Sequence, residues 1–294
     1  MLKNILAIQM SSVIGDYNAN CNKITALISG FYDNADSSKL PDIIFLPEVW
    51  TLGWYTDCFR ELAKDNKDAV EFLSNIAKKY NVNIVGGSYI RKDDKASLES
   101  GKEIYKNSCP IINRKGELCA IYDKIHLYSP DGEAHAVEFG NTPLIINIEG
   151  LKIGLSICYD IRFPELFRSY IANENRPDML VNLSAWPKTR RAQYDCMAKS
   201  RAVENQSYFL ALSQTGLIKD DVYNSGYSLL AAPLGETVTR LDEDEGWLFE
   251  TINTDIVRTI RNTYPNLDNR KVDDFGFKPC YINIDATKEA EALL

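Results

Sequence analysis

Histidine is almost missing from this chain: His126 and His135 are the only two in 294 residues. Two isolated histidines make a poor donor set, so no metal is expected, and the thiol chemistry considered below needs no organic cofactor either. Concentrated positive charge is missing too. The densest basic stretch is Lys188–Thr189–Arg190–Arg191, and the formal net charge is −8. That balance disfavours nucleic acid and anionic membranes as partners. No run of about 18 apolar residues occurs, which argues against a helical membrane span. The seven cysteines are odd in number and scattered, without a Cys-x-x-Cys pair. Such usage fits a reducing, cytoplasmic setting rather than a disulfide framework. The opening MLKNILAIQM lacks a long apolar stretch and a small-residue cleavage site. It reads as a first core strand, not a signal peptide.

Repeats, low-complexity stretches and linkers are also lacking. One domain over residues 1–294 is therefore expected, although a prior of about 150 residues per domain would allow two. Strand and helix patterns alternate. Buried strands are predicted over 4–10, 42–46, 82–90 and 179–183, with further strands over 208–214, 226–232 and 236–241. Helical spacing covers 17–31, 68–80, 164–173, 191–205 and 255–262. Two hairpins are predicted, 104–112 with 118–122 around Gly116, and 144–148 with 151–157 around Gly150. Residues 247–252 are expected to pair with 236–241. The tail over 266–294 reads as an extended arm. The pattern is that of an α/β protein with sheets covered by helices.

Three short segments carry chemistry. In KIGLSICYDIRFPELF, a buried strand runs into Cys158, and Pro164 opens a helix. A thiol at such a turn is presented at a sheet edge, with the Tyr159 N–H beside it for an oxyanion. A buried core cysteine fits the same segment. In FLPEVW, Glu48 follows a buried strand, where α/β proteins keep their ligand sites. It is a candidate general base, or a solvated loop residue. In YDKIHLY, Lys124 is a candidate for oxyanion stabilisation, or a surface lysine paired with Asp123.

Taken together, FLPE, DKIHLY and CYDIRFPE, with NLSAW and RAVENQ behind them, resemble the nitrilase superfamily of carbon–nitrogen hydrolases over about residues 3–265. The CYDIRFPEL and SRAVENQSYF stretches are most similar to its ω-amidase-like branch. The resemblance implies a four-layer αββα sandwich. It implies Glu48 as general base, Lys124 as stabiliser of the tetrahedral intermediate and Cys158 as nucleophile. The family's second glutamate stands seven residues before a glycine. Glu133 matches through Gly140, and Glu138 competes. The implied substrate is a small carboxylic acid amide, with a nitrile or an N-carbamoyl amino acid as alternatives. A catalytically silent scaffold on the same fold is the non-enzyme alternative. A homodimer or larger homo-oligomer is implied, through 164–173 and Arg191–Asn205.

Other residues near these motifs are open to two readings. His126 or His135 offers a rival Cys–His arrangement. Arg162 and Glu165 read as an ion pair bracing the turn. Trp186 is a candidate pocket wall, and Arg190 or Arg191 a candidate partner for a substrate carboxylate. Trp50, Trp54 and Tyr55 are expected to line the entrance. The LGWYTDCF stretch departs from the ω-amidase pattern, which leaves the substrate open.

Overall fold

The computed structural model describes residues 1–37, 39–66, 68–172, 174–270 and 279–284. Two mixed sheets face each other. The first contains β1 (Leu2–Gln9), β2 (Ile43–Phe45), β3 (Asn83–Val85), β4 (Tyr89–Lys92), β5 (Tyr105–Ile112) and β6 (Leu118–Asp123). The second contains β7 (Leu144–Ile148), β8 (Leu151–Ile157), β9 (Met179–Ser184) and β10 (Tyr208–Ser213). A separate ribbon follows, β11 (Leu217–Lys219) with β12 (Val222–Tyr223). Then come β13 (Leu229–Ala231), β14 (Thr237–Arg240), β15 (Gly246–Asn253) and β16 (Cys280–Asn283). The first sheet runs β15-β1-β2-β3-β5-β4, with β6 on β5; the second runs β14-β13-β10-β9-β8-β7-β16.

Alternation along β1 builds the layers. Ile5 and Ala7 point into the core between the sheets, together with Ile153, Leu155, Val181 and Leu210. Leu6 and Ile8 point the other way, onto α1 (Tyr17–Asn34) and α3 (Ala69–Tyr80). Successive strand side chains alternate faces, so one strand serves two layers. On the far side, α6 (Pro164–Ile171) and α7 (Arg191–Asn205) cover the second sheet through Phe167, Tyr170, Tyr194 and Ala198. The remaining helices are α2 (Phe59–Leu62), α4 (Asp94–Ser100), α5 (Glu133–Ala136) and α8 (Thr254–Thr263). The result is the expected αββα sandwich. No helix among the described residues is long and apolar enough to cross a membrane.

Three expectations change. The run 82–90 is two strands, because one extra residue is lodged around Gly87, at φ 66°: Val85 faces Ile111 of β5, and Tyr89 already faces Ser108. Residues 247–252 pair with β1, not with β14, and so join the other sheet. Gln9 Nε2 draws the intervening loop across by bonding the carbonyls of Asp242 and Asp244, each at 2.7 Å. The expected arm returns as β16, parallel to β7. Its residues 271–278 and 285–294, and Asn173 of the expected interface helix, lie outside the described residues.

Candidate active site

Glu48 lies two residues beyond Leu46, where β2 has just ended. The turn is tight: Val49 sits at φ 45°, a left-handed conformation that a β-branched residue rarely adopts. Several contacts hold it there. The Val49 N–H donates to Ser88 Oγ at 2.9 Å. Gln214 Nε2, from the second sheet, donates to the Glu48 carbonyl at 2.5 Å. Gly87 passes so close that a Cβ would stand 2.3 Å from the Pro47 carbonyl oxygen. The Glu48 carboxylate is completely buried. Its Oε2 accepts from the Ala185 N–H at 2.9 Å.

Lys124 follows β6 directly, and its ammonium is fully buried between two carboxylates. Nζ lies 2.8 Å from Glu48 Oε1, and 2.9 and 2.8 Å from Glu133 Oε1 and Oε2. Glu133 opens α5, and its Oε2 also accepts from the Tyr128 N–H at 2.6 Å. Asn107 on β5 ties the two acids together. Its Nδ2 donates to Glu48 Oε1 and to Glu133 Oε1, each at 3.0 Å. Gly140 meets Lys124 from behind: its N–H donates to the Lys124 carbonyl at 2.7 Å. Glu138, the competing glutamate, is exposed, and its backbone N–H donates to the Tyr105 carbonyl at 2.8 Å.

Cys158 takes the first position after β8, at φ 45°, where a 3-10 turn begins. Leading N–H groups of such a turn have no intrahelical acceptor, so the Tyr159 N–H is available to a ligand. The turn is braced by Asp160, fully buried, which accepts from the Ile157 N–H at 2.9 Å and the Tyr122 hydroxyl at 2.7 Å. His126 belongs to this brace. Its backbone N–H donates to Asp160 Oδ1, its Nδ1 lies 2.8 Å from the same oxygen, and its ring stacks on Phe163 at 3.7 Å. His135 is exposed. The group facing the thiol is the Glu48 carboxylate, not an imidazole.

The electrostatics follow from burial. Desolvation pushes the Cys158 thiol well above its ordinary range, and the Glu48 charge adds to that, while Lys124 opposes it. Desolvation also raises the Glu48 carboxyl; the Lys124 ammonium partly offsets this, and Glu133 reinforces it. Burial works against the Lys124 charge, but Glu133 and Glu48 outweigh it and hold the ammonium protonated. Burial thus favours the thiol form of Cys158, while the two neighbouring acids keep Lys124 an ammonium.

A cavity of about 400 Å³ opens above Cys158, walled by Trp54, Tyr128, Tyr159 and Trp186. Trp186 is fixed by its Nε1–H, which donates to the Arg190 carbonyl at 2.9 Å, and by stacking on Tyr194 at 4.8 Å. Arg190 lines the cavity and donates to the Tyr128 hydroxyl. Arg191 does not line it: its guanidinium lies 3.9 Å over the Tyr227 ring and 3.7 Å from Glu243. Adjacent residues at a helix start point about 100° apart, and only the first reaches the cavity. Arg162 does not pair with Glu165, which is exposed. It donates to Gln193 Oε1 at 2.8 Å, lies over Trp186 at 4.9 Å, and lines the cavity. Trp50 is not at the entrance; it is buried in the core, with Nε1 on the Gly86 carbonyl at 2.8 Å. Tyr55 packs beside the entrance under Lys219, 5.3 Å from the ring centre. Sequence reasoning missed Asn107, Asp160 and Lys219, since no local pattern marks an interior amide, a brace or a ribbon tip.

Known proteins resemble this chain in sequence and in fold. The carbon–nitrogen hydrolase family profile matches residues 5–262. The chain is 29% identical over 258 residues to a 2-oxoglutaramate amidase of Paenarthrobacter nicotinovorans, covering 85% of each chain. It is 30% identical over 237 residues to a 2-oxoglutaramate amidase of Bacillus subtilis, covering 80% of this chain and 87% of the relative. Among solved structures, Saccharomyces cerevisiae Nit3, a member of branch 10 of the nitrilase superfamily, superposes with a TM-score of 0.81 at 26% identity. That match covers 92% of this chain and 97% of Nit3. With the family profile running from β1 into α8 and over Glu48, Lys124, Glu133 and Cys158, this chain belongs to the carbon–nitrogen hydrolase family.

Proposed function

We propose that the chain hydrolyses the terminal amide of a small carboxylic acid, an ω-amidase-like reaction that passes through a thioester on Cys158 and releases ammonia. The observation that carries this reading is the Glu48 carboxylate, buried and shared between the Lys124 ammonium and the Cys158 thiol. The 2-oxoglutaramate amidases among the relatives support the substrate class. So do the cavity's dimensions and its cationic lining, which suit a carboxylate tail.

The reaction follows from the resting protonation states. Glu48 accepts the thiol proton as Sγ attacks the amide carbonyl carbon. The oxygen becomes an oxyanion held by Lys124 Nζ and the Tyr159 N–H. Protonated Glu48 returns the proton to the nitrogen, the C–N bond breaks, and ammonia leaves with an acyl thioester behind it. Glu48 then takes a proton from water, whose oxygen attacks the thioester. The C–S bond breaks, the acid is released, and the proton returns to sulfur. Glu133 does not exchange protons in this scheme; it holds Lys124 and keeps its charge.

Ammonia release across ω-amides, N-carbamoyl amino acids and nitriles tests the reading, with wild type and Cys158→Ala compared. Wild type should act on ω-amides, and the variant should lose at least ~10⁴-fold in kcat while keeping its thermal midpoint. Turnover of nitriles alone, or full activity in Cys158→Ala, would refute it.

A further inference from the structure

The β11–β12 ribbon belongs to neither sheet, yet it forms part of the cavity wall. Leaving β10, the chain turns out at Gln214–Gly216 and pairs Leu217 with Tyr223 and Lys219 with Val222. Asp220 and Asp221 make the turn, both at positive φ, as a two-residue hairpin requires. The ribbon's base is clamped to the catalytic region. The Asn224 N–H donates to the Gly216 carbonyl at 2.8 Å, and the Ser225 N–H donates to the Trp186 carbonyl at 2.6 Å. Ile218 is buried against the cluster that contains Trp54 and Ala185. This anchoring sets the tip pair, Lys219 and Val222, on the cavity above Cys158.

Four charged side chains line that cavity: Arg162, Arg190, Lys219 and Asp131. Three are already engaged. Arg162 bonds Gln193 and lies over Trp186 and Tyr159. Arg190 is on Tyr128. Asp131 accepts from Trp54 Nε1 at 2.5 Å. The Lys219 ammonium has the Tyr55 ring beneath it and, among the described residues, no hydrogen-bond acceptor. An ammonium over a ring keeps its three donors for another partner. The local surplus is two positive charges over the tally of three cations and one carboxylate. We infer that Lys219 is a specificity-determining residue, which binds the distal carboxylate of the substrate from the ribbon tip while Cys158 takes the amide end. This rests on the ω-amidase-like reading above.

The test is a ratio. For each enzyme, kcat/KM is measured by ammonia release on a dicarboxylic acid monoamide and on a chain-matched aliphatic amide without the carboxylate. Both arms use one preparation, so any unfolded fraction cancels. Wild type should favour the anionic amide. Lys219→Met should lower the ratio at least tenfold, Lys219→Arg should keep it within about threefold, and Lys219→Glu should lower it beyond the methionine variant. The wild-type ratio should also fall with added salt, and that of Lys219→Met should fall less. A wild-type preference that survives unchanged in Lys219→Met overturns the role of Lys219 and leaves the ω-amidase-like reading standing. A wild type without any preference overturns both.

Discussion

Replacing Lys124 by Met keeps most of the side chain's length and removes only the charge and its donors. The ammonium makes three contacts of 2.8–2.9 Å with Glu48 and Glu133, all fully buried. Its loss leaves two carboxylates facing each other with no cation between them. Breaking a buried pair in this way costs about 3–5 kcal/mol, because the remaining charge is uncompensated. For a chain of this size that lowers the thermal midpoint by roughly 5–8 °C. The cost must depend on pH. The Glu48 carboxyl is already raised by burial, and Lys124 is what holds it down. In the variant it rises further above its unfolded value. A group raised on folding contributes stability that is present below its unfolded pKa and is lost as pH climbs through the folded one. The gap between variant and wild type should therefore widen as pH climbs above the ordinary carboxyl value of 4.5, by up to ~1.4 kcal/mol per unit for one proton. Urea denaturation at several pH values reads this directly. A gap that stays flat, or narrows toward pH 8, would refute this arrangement of charges. Turnover at neutral pH should fall by at least ~10³-fold, since the same substitution removes an oxyanion donor.

Two further outcomes follow from the same geometry. The Cys158 thiol is pushed well above its ordinary range by burial, then by Glu48, so its free thiolate is scarce at neutral pH and alkylation needs Glu48 as base. Inactivation by iodoacetamide should thus rise as pH passes the raised carboxyl of Glu48, above 4.5, and level off before pH 9; a tenfold rise per unit through pH 8–9, as for glutathione, would contradict it. In Gly140→Ala the new Cβ would stand 2.3 Å from the Asp123 carbonyl oxygen, shifting Lys124 and lowering kcat about 10–100-fold. Gly246→Ala, which opens onto empty space, is the control, and equal activity in the two variants would show that Gly140 does not position the lysine.

What the sequence made legible was set by how local each cause is. The hairpin around Gly150 was readable because turn and strands lie within one short window, and β7 and β8 pair as expected. β15 was misplaced because its partner, β1, stands at the other end of the chain; the default that neighbours pair has no access to such a choice. The ribbon escaped notice because strands of two and three residues carry no period. Arg190 and Arg191 were indistinguishable because only the helix start, with Glu243 across from it, sends one to the cavity and the other away. The site shows the same division. Glu48, Lys124 and Cys158 each end a buried strand, and their strand-end positions were visible one at a time. Glu133 was different, since four residues of short helix gave no reason to prefer it over Glu138. The spacing to Gly140 separated them, and the structure supplies its cause. Gly140 donates to the Lys124 carbonyl and has no room for a side chain against Asp123. The glycine fixes where the lysine's backbone lies, and the glutamate seven residues before it is then the one whose carboxylate meets the lysine's ammonium. The spacing thus records a packing requirement on the backbone of one catalytic candidate, expressed through the side chain of another.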